Sequence, residues 1–175
     1  AVVDPGDAGL ARDRERLAEV KRDHAEVAHR YFAANAGEWD TIRALHVAED
    51  RVEAAILTAL GERRFSSLLD LGTGTGRLLA LLAPLYDRAV GIDASPSMLS
   101  VARANLDAAG IANAQVRLGD IYNLPLPRDG FDVVTIHQVL HYLDDPERAL
   151  SEAARVLRPG GRMLIVDFAP HDLEF

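Results

Sequence analysis

The chain has no cysteine among its 175 residues, which excludes disulfides, cysteine-ligated zinc and a thiolate nucleophile. That is compatible with the cytosol, and a cytoplasmic protein is the expectation. Basic residues are the minority: 19 Lys and Arg stand against 27 Asp and Glu, a formal net charge of -8 with a pI near 5.2. Phosphate neutralisation needs clustered Lys and Arg, so nucleic acid is not an expected partner of this segment. No apolar run approaches the length of a membrane span and no signal peptide is visible, so a membrane is not expected either. With 49% hydrophobic residues the composition is that of a soluble globular domain able to bury a substantial core. An initiating Met is also lacking; the chain opens on Ala1 and stops at Phe175 inside what reads as continuing sequence, so a fragment is the expectation.

Glycine, by contrast, is concentrated where it implies chemistry. Leu68-Leu69-Asp70-Leu71 runs into Gly72-Thr73-Gly74-Thr75-Gly76-Arg77, and a second apolar run, Val90-Gly91-Ile92, closes on Asp93. An acid about 20 residues beyond the first glycine, after a second strand, is the arrangement of nucleotide-type βαβ sites. Glycines at 72, 74 and 76 remove Cβ atoms where the backbone turns sharply, so a ligand can reach main-chain N–H groups. A helix beginning near Gly76 would aim its unpaired N–H groups at the same spot. Asp93 can accept hydrogen bonds from two neighbouring ribose hydroxyls and would repel a phosphate. The dinucleotide pattern G-x-G-x-x-G would need a third glycine at 77, where Arg77 stands, so an NAD-binding oxidoreductase is the weaker reading.

The periodicity predicts an α/β chain. Residues 10 to 34 read as a charged amphipathic helix with Leu17, Val20, His24, Val27, Tyr31 and Ala34 on a heptad stripe, expected to lie on the core in preference to forming a coiled coil. A helix at Ala48 to Leu60 ends at Gly61. Then follow a strand from Phe65 to Leu71, a helix from Gly76 to about Leu85 ended by Pro84, and a strand at Ala89 to Ile92. Next come a helix from the N-cap Ser95 and Pro96 to Gly110, strands at Ala114 to Leu118 and Asp132 to Ile136, a helix at Pro146 to Leu157, and a strand at Met163 to Phe168. Such alternation implies a parallel sheet covered on both faces, with ligands at the carboxyl strand ends.

D-L-G-T-G-T-G-R followed by G-I-D-A-S resembles the first two motifs of class I S-adenosylmethionine-dependent methyltransferases. Leu118-Gly119-Asp120-Ile121, Phe131-Asp132-Val133-Val134 and Leu157-Arg158-Pro159-Gly160-Gly161 match that family's later segments in order, so the resemblance covers roughly Tyr31 to Pro170. It implies a Rossmann-like parallel sheet of order 3-2-1-4-5, lacking the family's final two strands. An N-terminal helical extension or lid would occupy residues 1–60 and the S-adenosylmethionine-binding core residues 61–175. An apolar fifth strand left on an open edge would recruit another chain, so a homodimer is expected. The implied cofactor is S-adenosyl-L-methionine, with S-adenosyl-L-homocysteine as product, and the implied partner is a small-molecule methyl acceptor. The reaction would be an in-line displacement at the sulfonium methyl, to which the protein contributes positioning, water exclusion and, where needed, a base.

Carried over residue by residue, Asp70 and the turn Gly72, Thr73, Gly74 and Gly76 would hold the methionyl end. Asp93 with Ala94 would hold the ribose, and Asp120 with Ile121 the adenine. Met98 would lean on the adenine or belong to the core. His137 or Gln138, after the fourth strand, would contact cofactor, and His137 and His141 are the candidate bases. No metal is expected, since this i, i+4 histidine pair sits at a strand end without an H-E-x-x-H pattern. Tyr31-Phe32 and Trp39-Asp40 resemble an aromatic segment that closes over the cofactor, with helix anchoring as the competing role. His24, His29, His46 and His171 have no partner spacing that suggests a function.

The runs Tyr31 to Asp40, His137 to Tyr142 and Asp167 to Phe175 also look like methyltransferase domains fused behind an ArsR/SmtB-type DNA-binding domain. Small-molecule enzymes related to quinone biosynthesis share much of the pattern. An arsenite acceptor is disfavoured, because soft arsenic needs thiolate ligands. Two readings therefore stand: an enzyme methylating a small hydrophobic or aromatic metabolite, or a cofactor-responsive regulatory module without turnover.

Overall fold

The structure, a computed structural model, describes residues 8–39 and 48–169. Asp40, His46 and His171 lie outside the described residues, as do the side chains of His24 and His29. The elements are α1 (Ala8–Asn35), α2 (Glu49–Leu60), β1 (Phe65–Leu71), α3 (Arg77–Leu81), β2 (Tyr86–Asp93), α4 (Pro96–Ala108), β3 (Ala114–Leu118), β4 (Phe131–His137), a 3-10 turn (Leu140–Tyr142), α5 (Pro146–Val156) and β5 (Leu157–Val166). The five strands form one sheet in the order β3-β2-β1-β4-β5, every pairing parallel. The expected α/β sheet of order 3-2-1-4-5 is therefore present. The chain builds outward from β1 to β3, then returns to the other side of β1 with β4, and the crevice at that reversal is where open α/β sheets bind ligands.

The period-2 alternation of side chains divides the core into two layers. On one face Leu68 and Val133 pack with Ile56, Leu60, Leu79, Leu99 and Ala102. On the other, Leu69, Leu71, Val134 and Ile136 pack with Ala153 and Val156. Helices α2, α3 and α4 thus cover one face and α5 the other. Helix α2, grouped above with the N-terminal extension, is seated in the core through Ile56 and Leu60.

Several boundaries differ from the sequence reading. Helix α3 ends at Leu81 rather than near Leu85, because residues 82–85 close a turn in which Leu85 N–H donates to Leu82 O (2.8 Å). Strand β2 begins at Tyr86, three residues before the apolar run. Its phenol is buried and donates to Leu79 O (2.8 Å), an anchor across the layer. Strand β5 begins at Leu157 rather than Met163, because Pro159-Gly160-Gly161 is accommodated as a bulge opposite Phe131 and Val133, with Gly160 at φ 75°. Helix α1 forms as expected, but its stripe does not lie on the core: Leu17, Val20, Val27 and Tyr31 are exposed. The heptad spacing is real; what the sequence could not supply was a surface for it to cover. No described helix is long and apolar enough to cross a membrane.

Candidate functional site

A cavity of about 340 Å³ opens at the carboxyl ends of β1, β2 and β4. Asp70, Gly72, Thr73, Gly74, Asp93, Ala94, Met98, Asp120, Ile121, His137 and Gln138 of the expected set line it, so residues spread over 69 positions converge on one space. Tyr31, Gly76 and His141 do not.

The turn after β1 is fixed by the strand beside it. Gly72 and Thr73 both donate backbone N–H to Ile92 O (2.8 and 3.0 Å), and Gly76 N–H donates to Thr73 O (2.9 Å). Asp93 closes the arrangement: its Oδ2 accepts from Gly74 N–H and its Oδ1 from Ser95 N–H, each at 2.8 Å. The carboxylate therefore braces the glycine turn and the start of α4 while facing the cavity.

The three glycines have three different reasons, and only one of them is the cavity. A Cβ on Gly72 would meet Val139 Cγ2 at 2.3 Å, so this glycine admits the β4 loop against the turn. On Gly74 a Cβ would meet nothing within 4 Å; its backbone has φ 54°, and the space beside it is the cavity. Gly76 lies behind the turn with φ 81°, where a Cβ would approach Ala102 Cβ to 3.3 Å, so it serves the packing of α4. That corrects its expected place in the cradle. The anticipated helix N-terminus is also smaller than expected, since α3 has only five residues, and the turn backbone with Asp93 does the bracing instead.

Asp70 is 2% exposed and accepts from Thr135 Oγ1 at 2.6 Å, a buried carboxylate at the floor of the cavity. Burial first, and Asp70 second, push the Tyr86 phenol up to about 12. Asp120 accepts Tyr122 N–H at 2.8 Å in an Asx turn that bends the chain after β3 along the cavity wall. That wall is held from α5: Arg155 donates to Leu124 O and Leu126 O (both 3.0 Å), while Glu152 accepts Leu124 N–H (3.0 Å). The hydrogen bond from Arg155 lowers the Glu152 carboxyl to about 2. Met98 is 2% exposed and also lines the cavity. Gln138 adopts φ 54°, unusual for a side-chain-bearing residue, and its N–H donates to Val166 O (2.7 Å).

An aromatic wall faces this cradle. Phe32 of α1 meets Trp39 (centroids 5.1 Å) and Tyr142 (5.0 Å) edge to face, and all three line the cavity. Tyr31 stands behind them, 6.2 Å from Trp39, and is exposed. The lid resemblance therefore falls on Phe32 and Trp39 rather than Tyr31. Burial, then the neighbouring Tyr31 and Asp167, raise the Tyr142 phenol above its ordinary value. His137 and His141 do not converge: His137 lines the cavity, whereas His141 Nδ1 turns to Asp167 Oδ1 at 2.6 Å. The sequence reading missed Thr75, Gly119, Tyr122, Val139, Tyr142 and Asp144 as lining residues. Thr75 stands inside the glycine turn and the others close to Asp120 or His137 in sequence, which was the available signal.

Comparison with known proteins agrees with this geometry. The chain is 36% identical over 106 residues to the uncharacterized methyltransferase YcgJ of Bacillus subtilis, covering 60% of this chain and 42% of that protein. It is 41% identical over 113 residues to a demethylmenaquinone methyltransferase of Thermus thermophilus, covering 62% of this chain and 50% of the other. The chain thus spans half or less of the length of these curated relatives. The crystal structure of YcgJ superposes with a TM-score of 0.64 at 32% identity, covering 70% of this chain and 53% of that one. A complex of DhpI with SAM and HEP superposes with a TM-score of 0.70 at 27% identity, covering 85% and 67%. The profile of the family described as "Methyltransferase domain" matches residues 69–165, more than half of the sequence, and the chain belongs to that family.

Proposed function

We propose that the protein binds S-adenosyl-L-methionine in the 340 Å³ cavity and transfers its methyl group to a small acceptor of apolar, aromatic character. One observation carries the reading: the cavity is continuous from a glycine turn braced by Asp93 to a wall of Phe32, Trp39 and Tyr142. The donor set fits the group. The open side of Gly74 leaves room for a ligand against the backbone, and Asp93 puts into the cavity a carboxylate, the group type that accepts from ribose hydroxyls. Asp70, a buried carboxyl group at the cavity floor, suits the ammonium of the methionyl end, and Met98 with Ile121 offers apolar faces to an adenine. The similarity to a demethylmenaquinone methyltransferase and to the complex of DhpI with SAM supports both halves of the proposal.

When bound, the cofactor supplies an activated methyl on a sulfonium, with a neutral thioether as the leaving group. The chain itself holds the donor's sugar and amino-acid tail. It also presents the acceptor's ring against aromatic edges, which prefer edge-to-face and offset contacts, and keeps water from the reacting atoms. Parallel calorimetric titrations with S-adenosylmethionine, S-adenosylhomocysteine and NAD test the cradle. Binding of the first two without the third is expected; binding of NAD alone would overturn the reading.

A further inference from the structure

Helix α1 leaves its apolar face uncovered. Leu17, Val20, Val27 and Tyr31 recur at coiled-coil spacing along its 28 residues, and they are 55%, 51%, 58% and 46% exposed. With His24 and Ala34 the sequence makes one a/d stripe of them, and Asp13, at the next stripe position, ends it on the amino-terminal side. Single apolar residues on a surface are ordinary, whereas a contiguous stripe marks a contact. A long helix in water also owes most of its stability to packing of its apolar face. The body of the chain does not provide that packing. Phe32, next in sequence to Tyr31, turns to Trp39 and Tyr142 in the cavity wall, which anchors the carboxyl end of α1 while the stripe stays in solvent.

A second copy of the same stripe is the occupant that fits. Two such helices laid antiparallel set a positions against d positions, and one register matches the stripe to itself from end to end. Leu17 then meets the partner's Ala34, Val20 meets the partner's Tyr31, and His24 meets the partner's Val27, each with its reciprocal. A slip of one heptad would set Asp13 against the partner's Tyr31 and put an acid in the seam.

Charge separates this arrangement from the parallel one. The sequence positions flanking the stripe are Arg16, Asp23 and Arg30 on one side and Arg14, Lys21 and Ala28 on the other. In a parallel pair each flank meets the opposite flank of the partner five residues on, which brings Arg16 to the partner's Lys21 on both sides of the seam. In the antiparallel pair each flank meets its own copy. The end-to-end register then sets Asp23 beside the partner's Arg30 twice, with no like-charged neighbours.

We propose that α1 pairs antiparallel with α1 of a second copy of this chain through Leu17, Val20, Val27, Tyr31 and Ala34. The partner's Val20 then packs on Tyr31, which lies 5.9 Å from Phe32 and 6.2 Å from Trp39, so the second copy backs the aromatic wall of the cavity. This interface lies on the helix, not on the open β5 edge from which the sequence reading expected a homodimer. It holds whatever the cavity binds.

Sedimentation equilibrium and paired nitroxide distances test it together. The wild type should sediment as a dimer and L17E/V27E as a monomer, with Tm little changed because neither side chain is in the core. I165K, on the β5 edge, should remain a dimer. Because the chain has no cysteine, single labels can be introduced at E26C and A11C. The antiparallel centre falls between residues 25 and 26, so at 1.5 Å per residue the E26C labels lie level and no more than roughly 25 Å apart across the pair, whereas the A11C labels stand more than about 40 Å apart along it. These distances are read on an intact stripe and stand whether or not L17E/V27E folds. A monomeric wild type at submillimolar concentration, a dimer that survives in L17E/V27E, a dimer lost in I165K, or equal short distances at both label sites would overturn the proposal.

Discussion

Alanine at Gly72 and at Gly74 separates stability from ligand binding within two residues of one turn. Both backbones are left-handed, with φ 69° and 54°, so a side chain costs about 1–2 kcal/mol at either position. At Gly72 the new Cβ also meets Val139 Cγ2 at 2.3 Å. Relief of that overlap by moving Val139 and its loop adds about 1–3 kcal/mol, as overpacking does in close-packed interiors. The sum is about 2–5 kcal/mol, which in a domain of this size lowers Tm by on the order of 10 °C. At Gly74 nothing lies within 4 Å, so only the backbone term applies and the shift is about half as large or less. The order reverses for binding: a methyl at Gly74 protrudes where the ligand is proposed to lie, and a tenfold or greater loss of affinity corresponds to about 1.4 kcal/mol of displaced contact. Thermal melts with calorimetric titration of S-adenosylhomocysteine measure both quantities. Equal melting temperatures for the two variants, or unchanged affinity in G74A, would refute the assignment of separate roles.

Asp93→Ala is expected to weaken S-adenosylhomocysteine binding at least tenfold. It should also lower Tm by several degrees, because two backbone bonds to a carboxylate, each worth about 1.5–3 kcal/mol, go with it; an unaltered melt would show that the turn stands without that brace. Glu152→Gln tests the network that holds the cavity wall. The folded carboxyl lies near 2, below its unfolded value, so its stabilisation is complete above about pH 4.5 and is lost as pH falls toward 2. Urea melts should show the wild type more stable than E152Q at pH 7 and the gap closing through that window; a gap independent of pH would remove the ionic pairing with Arg155 as its cause.

The sheet was legible because each strand buried on both faces writes a short apolar run, and the helices between them write a longer period. Strand starts were not. Tyr86-Asp87-Arg88 hides the beginning of β2 because its two exposed charged residues look like a loop, and Pro159-Gly160-Gly161 reads as a turn although the sheet absorbs it as a bulge. Asp70, Asp93 and Asp120 could be found because each stands at or just beyond the carboxyl end of a strand that the apolar runs mark. Asp167 could not. It meets His141 across 26 residues only because β4 and β5 are neighbours and end together, and no local pattern signals that meeting. The same holds for Phe32 and Tyr142, which join one wall from opposite ends of the chain. The reasons for the individual glycines were equally hidden, since a missing Cβ looks alike in sequence whether its place is taken by Val139, by Ala102 or by an open cavity.

Arg77, the residue that stands where a dinucleotide site would have its last glycine, grips both carboxylate oxygens of Glu53 through the Nε and Nη2 of one guanidinium edge, at 2.6 and 2.8 Å. This forked strut runs from the first residue after the ligand turn to a helix that precedes the sheet in the chain. The turn's exit is thus fastened to α2 by side chains alone, so cutting this contact would loosen that joint while leaving the pairing of the strands intact.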